Sequence, residues 1–330
     1  MESSTKRLDF IDVAKGIGII LVVLGHCMAY GCQNRLFTMI YSFHMPLFFF
    51  LSGFLFKSKD NASFLSGKVK TLLVPMVCFQ SINIFTYGLL FLLGLEKMHR
   101  TIAFGGFWFL GTLLYVTCLY YILSEKFFAK FDHKNIVVTL TTIVTMSFGL
   151  IYAKGISDQP NQLIATSFVA FSFYGLGHIC NNNQNLQNII INNSKIYRIL
   201  TAIGAVILFA LLAYLVSFTD RNVDMNTSRY GNSFFFILNA LVGISAMFLC
   251  SIAISKNKIL EFFGKNSLMI FLLHIPLWKF FDLVIVKFTN MRGGVKSLCV
   301  FIICIAISST LSVLISKHIP WLTGKIKFNK

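Results

Sequence analysis

The sequence is short of charge and of helix breakers. Only 12% of its 330 residues are Asp, Glu, Lys or Arg, and only 5 are proline; a soluble domain carries roughly 25% charged residues. Half the usual charge cannot cover a water-facing surface, which excludes an ordinary soluble globular protein. Acidic residues are scarcest, 12 against 29 basic ones, for a formal net charge of +17. On a soluble chain that excess would point to nucleic acid. Here the basic residues sit in short breaks between apolar runs, the distribution that sets membrane topology, so no nucleic-acid partner is expected. The eight cysteines lie mostly inside those runs with no CxxC pair, so neither a disulfide framework nor a metal site is expected.

What the chain has in abundance is apolar length. It is 56% hydrophobic with 36 phenylalanines, and its mean hydropathy is +0.74. A span needs about 20 mainly apolar residues, and ten stretches qualify: 10–30, 36–56, 72–94, 104–123, 136–153, 163–180, 197–218, 233–254, 266–287 and 295–316. They predict an all-α polytopic bundle of about ten transmembrane helices in a lipid bilayer, a single integral-membrane domain over residues 1–330. About two-thirds of the basic residues fall on the side holding the N-terminus, so both termini are expected in the cytoplasm, in agreement with an even number of spans. Met1 to Tyr30 has the basic start of a signal peptide, but Asp9, Asp12 and Lys15 interrupt its apolar run and no small-x-small cleavage site follows; a retained first span is expected. The Asn/Gln-rich run 181–188 reads as a solvated linker.

Ionisable side chains inside a span are costly and mark function by default. The first span holds the densest group. Lys15 and His26 are eleven positions apart, which at 100° per residue returns them to within about 20° of one helix face, about 16 Å apart along the axis. Asp12 falls about 40° off the same line. A stripe of Asp12, Lys15 and His26 should face the bundle interior, since exposure to lipid costs about 3 kcal/mol per charge near the membrane centre; an interfacial Asp12–Lys15 ion pair beside a structural His26 accounts for the same residues. The second span places His44 in YSFHMPLFFFLSGF and the ninth places His274 in NSLMIFLLHIPLW. Each histidine is followed two residues later by proline, which removes a backbone donor and opens the helix locally, and the two are expected to meet near mid-membrane. Lys279 and Asp282, an i, i+3 pair, are expected to neutralise each other. His178 reads as an interfacial structural residue, and His99, His133 and His318 as solvent-facing.

These motifs resemble the membrane-bound acyltransferase 3 group of bacterial O-acyltransferases, in particular its fucose 4-O-acetylase-like and biofilm-polysaccharide-modifying branch. The likeness rests on DVAKGIGIILVVLGH in the first span, FHMPLFFFLSGF in the second, NSLMIFLLHIPL in the ninth, the basic approach to Pro75 and Trp108-Phe109-Leu110. The family's arginine, ten residues ahead of the histidine's neighbour, is replaced here by Lys15, which lacks the planar bidentate fork of a guanidinium. The resemblance implies a multi-pass protein of the bacterial cytoplasmic membrane that moves an acyl group, usually acetyl, from acetyl-CoA or another acyl-CoA to a hydroxyl of a cell-surface or lipid-linked glycan. No permanently bound cofactor is implied, and polysaccharide synthesis or export machinery is an expected partner. It also implies His26 as general base, Lys15 with Asp12 as the donor-binding group, and His44 and His274 as catalytic companions. The residues by themselves fit a second class equally: a transporter or flippase for a glycan, a lipid-linked intermediate or a small solute has the same kinked helices and midplane histidines.

Overall fold

A computed structural model describes residues 9–29, 34–57, 61–94, 108–155, 162–191, 194–219, 223–289 and 291–323. The described chain is an all-α bundle. Its long helices are α1 (Asp9–Met28), α2 (Arg35–Phe54), α4 (Val74–Leu92), α5 (Trp108–Lys126), α6 (Lys134–Gly155), α7 (Gln162–Asn182), α9 (Lys195–Leu215), α10 (Ser233–Ile254), α12 (Ser267–Phe288) and α13 (Gly293–His318); the short ones are α3 (Asn61–Lys68), α8 (Gln184–Ile191) and α11 (Lys258–Lys265). All of the long helices except α4 are apolar enough over enough described residues to cross a membrane. Helix α4, which covers the third expected stretch, follows a π-helical turn at Val69–Leu73 and has 19 residues, about 28 Å at 1.5 Å per residue. The protein is a multi-pass membrane protein.

Helix starts are set by local chemistry. Asn34, Asn232 and Asn257 each accept backbone N–H groups from the first turns of α2, α10 and α11, satisfying donors that a helix cannot pair internally. The Asn/Gln-rich run departs from the linker expected there. Helix α7 continues to Asn182, and α8 begins at Gln184 with the Asn183 side chain accepting the Leu186 N–H at 3.1 Å. Leu186 and Ile190 then pack on the core, so two apolar residues at helical spacing prevail over the polar composition.

Helix α1 is central, in contact with α2, α10, α11, α12 and α13. Two glycine pairs bring backbones together. A Cβ on Gly16 would collide with the Leu260 carbonyl and one on Gly264 with the Asp12 carbonyl, so α11 lies directly on α1. Gly53 and Gly177 meet the backbones of Tyr174 and Phe50 in the same way and lock α2 to α7. Close approach at small residues is the usual way membrane helices gain packing energy, since lipid is as apolar as leucine. Both prolines of the expected opened helices, Pro46 and Pro276, sit inside helices that run through them unbroken.

Candidate active site

The site grows from the unbroken α1. Asp12 is buried, and Lys15 and His26 are half-buried. The helix keeps Lys15 and His26 on one side and about 16 Å apart along its axis, Lys15 towards the N-terminal end of the bundle and His26 two residues from the opposite end. Helix α11 covers α1 where Asp12 and Gly16 lie.

At the far end three helices bring their histidines together. His26 of α1 has its ring centroid 5.0 Å from that of His274 on α12, and Tyr41 of α2 bridges the other way, 6.3 Å from His26 and 4.9 Å from His44. Trp278, one turn beyond His274, has its ring 6.1 Å from that of His26, tilted by 48°. His26 is thus the meeting point, with His44 and His274 on either side of it. The backbone fixes two of the tautomers. His44 Nδ1–H donates to the Ile40 carbonyl at 2.8 Å, and His274 Nδ1–H donates to the Phe271 carbonyl at 2.6 Å. A carbonyl only accepts, so each Nδ1 carries the proton and each neutral ring presents a lone pair at Nε2. His274 Nε2 is buried without a hydrogen-bond partner, a costly state that usually has a reason.

His26, Tyr41 and His44 line a cavity of about 80 Å³ whose other walls include Trp108, Phe271 and two residues of the α9–α10 connection, Asp224 and Asn226. The connection is firmly held. Asp224 and Arg229 exchange backbone hydrogen bonds of 2.7 and 2.9 Å, and Thr166 Oγ1 of α7 donates to the Met225 carbonyl at 2.7 Å. The Asp224 carboxylate accepts from Asn226 N–H at 2.9 Å and Thr227 Oγ1–H at 3.2 Å. Burial nevertheless pushes its carboxyl above the ordinary range, against the pull of those bonds and of Arg229.

Other expected residues fall elsewhere. Asp282 makes an ion pair with Lys296 of α13 at 2.7 Å, a partner on a neighbouring helix that its sequence spacing did not suggest. His178 is half-buried at the opposite end of α7 from the cavity, its Nδ1 2.7 Å from Tyr120 Oη and its Nε2 3.2 Å from Asn182 Nδ2. His133 and His318 are exposed, and His99 lies outside the described residues. Sequence reasoning passed over Tyr41, Trp278, Asp224 and Asn226. The first two carry a periodic signal, three residues before His44 and four after His274, which puts each on its histidine's face. Asp224 had only its rarity as an acid in a connection between spans.

Residues 8–317 match the family described as an acyltransferase domain, the acyltransferase 3 family. The chain belongs to that family. Among curated proteins it is similar to Nodulation protein NolL of Mesorhizobium japonicum, 25% identical over 314 residues that cover 86% of this chain and 79% of the relative. A second Nodulation protein NolL, from Sinorhizobium fredii, is 28% identical over 208 residues, 51% of this chain and 55% of the relative. No solved structure matches significantly. Membership makes the protein a membrane acyltransferase.

Proposed function

We propose that the protein is an O-acyltransferase of the bacterial cytoplasmic membrane that moves an acetyl group from acetyl-CoA to a hydroxyl of a cell-surface or lipid-linked glycan, with His26 as general base. The observation that carries this reading is the clustering of three histidines at the end of α1 opposite Lys15: His26 and His44 line one small space, and His274 packs against the His26 ring. In the proposed step the acceptor hydroxyl gives its proton to His26 as its oxygen bonds to the thioester carbonyl carbon. The tetrahedral intermediate then expels the CoA sulfur, which leaves as thiol with the proton His26 received. His44 and His274 serve the developing charge and the proton path around His26. Lys15, balanced by Asp12, attracts the phosphates of the donor at the other end of the helix, and the span between them matches the task of an extended thioester arm.

One feature of the space favours a glycan: Asp224 and Asn226 among its lining residues supply a carboxylate and an amide of the kind that sugar hydroxyls bind.

The test is acyl transfer in membranes carrying His26→Ala, with insertion checked by surface labelling. A loss of 10²-fold or more is expected, the usual share of a general base, and near-normal ester formation would overturn the assignment. Lys15→Ala should raise the acetyl-CoA concentration needed for half-maximal rate while Lys15→Arg restores it; an unchanged donor requirement makes Lys15 structural. Recovery of translocated but unacylated glycan, with no alkali-labile ester, would replace the enzyme by a transporter.

A further inference from the structure

A second and much larger cavity, about 650 Å³, lies between α4, α5 and α7, walled by Val77, Tyr115, Leu119, Leu123, Ile164 and Phe168 among others. That volume is typical of a site for a small organic ligand. Helix α4 packs on α12 and, through the π-helical turn before it, reaches α5; along the rest of its length it leaves a cleft beside α5. From Trp108 to Leu123 the lining follows α5 for fifteen residues, about 22 Å, most of the roughly 30 Å hydrocarbon layer.

Three observations limit the occupant. First, the cleft is open sideways: Val77, Tyr115, Leu163 and Ile164 are 47–57% exposed in helices that cross the membrane or lie alongside those that do, so lipid reaches it directly. Second, its lining is mainly apolar and several of its hydroxyls are already hydrogen-bonded. Ser81 and Ser167 donate to the Val77 and Leu163 carbonyls at 3.1 and 2.7 Å, and Thr145 bonds to the Thr141 carbonyl and to Ser172 at 2.8 and 2.7 Å. With these hydroxyl donors engaged and most of the lining apolar, the amides of a pantetheine arm or the hydroxyls of a sugar would be desolvated along much of the cleft, at a cost of about 1–3 kcal/mol each. Third, Trp108 lines both the cleft and the histidine cavity, so the two adjoin at that residue. One turn below Trp108, Thr112 is 4% exposed, lines the cleft and has an Oγ1 without a hydrogen-bond partner.

We infer that the cleft binds the hydrocarbon chain of a lipid-linked acceptor, with the chain running along α5 from Trp108 towards Leu123, its linkage oxygen near Thr112 and its saccharide beyond Trp108 at the histidines. This rests on the acyltransferase reading and narrows it, from any glycan to one carried on a membrane lipid. The chain supplies affinity and register, and Trp108 separates the greasy site from the reacting one.

The experiment uses the full chain in lipid nanodiscs and a long-chain alkyl glycoside bearing a diazirine midway along its chain. Photolysis is expected to label peptides of α5 and α7 that face the cleft, with displacement by unlabelled long-chain glycoside but not by the short-chain glycoside or by phosphatidylglycerol. Labelling spread over outward-facing helices such as α9, or displaced equally by phosphatidylglycerol, overturns the inference by making the cleft a place for bulk lipid only. Gly111→Leu fills the cleft where a Cβ meets nothing nearer than Met76 Sδ at 3.9 Å, and Ser167→Phe fills it from the opposite wall. Each should cut labelling and acyl transfer to the long-chain glycoside about tenfold or more, as when a few methylenes lose their pocket, and leave transfer to the short-chain glycoside unchanged. Equal loss with both acceptors, or no loss with either, overturns it. If the unaltered protein is labelled and displaced as expected yet acylates neither glycoside, the chain site stands and the acyltransferase chemistry is what fails.

Discussion

Helices α1 and α9 are both long, uninterrupted and apolar, and the structure uses them in opposite ways. Two-thirds of α1 (67%) is buried inside the bundle, against 22% of α9. Helix α9 has large side chains such as Ile203, Val206, Ile207 and Tyr214 turned outward, whereas α1 carries Asp12, Lys15, His26 and the glycines at 16, 18 and 25. In lipid the hydrophobic effect does not sort residues between core and surface, because both are apolar. What sorts helices is the rest: polar groups that must leave lipid, and small residues that let backbones touch. Apolarity marks α1 as a span, but its few polar and small residues mark it as the centre.

The strongest way to break the contrast is at the border, where the rim helix α13 is held to α12 by Lys296 and Asp282, 8% and 18% exposed. Asp282→Ala should cost about 3–5 kcal/mol by stranding a buried ammonium, seen as a lower thermal midpoint in detergent, while a paired Asp282→Leu and Lys296→Leu variant should recover most of it. Loss of the same size in the paired variant would show that packing, not charge, joins the helices. A smaller effect is expected inside the bundle from Gly264→Val, whose new methyl groups meet the Asp12 backbone; about 1–3 kcal/mol of overpacking is anticipated, measured in the same way. The smallest belongs to the rim, where Ile207 is 60% exposed: Ile207→Val should shift stability by no more than about 0.5 kcal/mol. A large loss there would place α9 in a contact with another protein or an ordered lipid.

The helices were legible because the hydrocarbon layer demands a length and a composition, and both are written in consecutive residues. The histidines were legible for a related reason: a ring that could have been leucine is costly in a span unless something uses it. What the sequence hid is what depends on folding back. Asp224 and Asn226 reach the histidines only because their connection is pinned to Thr166 of α7, a contact between residues about sixty positions apart with no periodic trace. Asp282 shows the same limit. Its spacing pointed only to Lys279, three places before it, and gave no sign of Lys296, which the packing of α13 on α12 brings alongside. Local spacing proposes partners, and tertiary proximity adds others.

The continuity of α1 makes it a ruler. Lys15 and His26 are joined by one rigid helix with no proline or break between them, so neither can adjust to the other by a hinge. One alanine inserted at position 20 would leave both side chains chemically intact while advancing one end by 1.5 Å and turning it through about 100°. If donor capture and acyl transfer are read off the two ends of that ruler, such an insertion should abolish turnover as thoroughly as the loss of His26. Four inserted residues, about one full turn, should restore the facing and change only the reach.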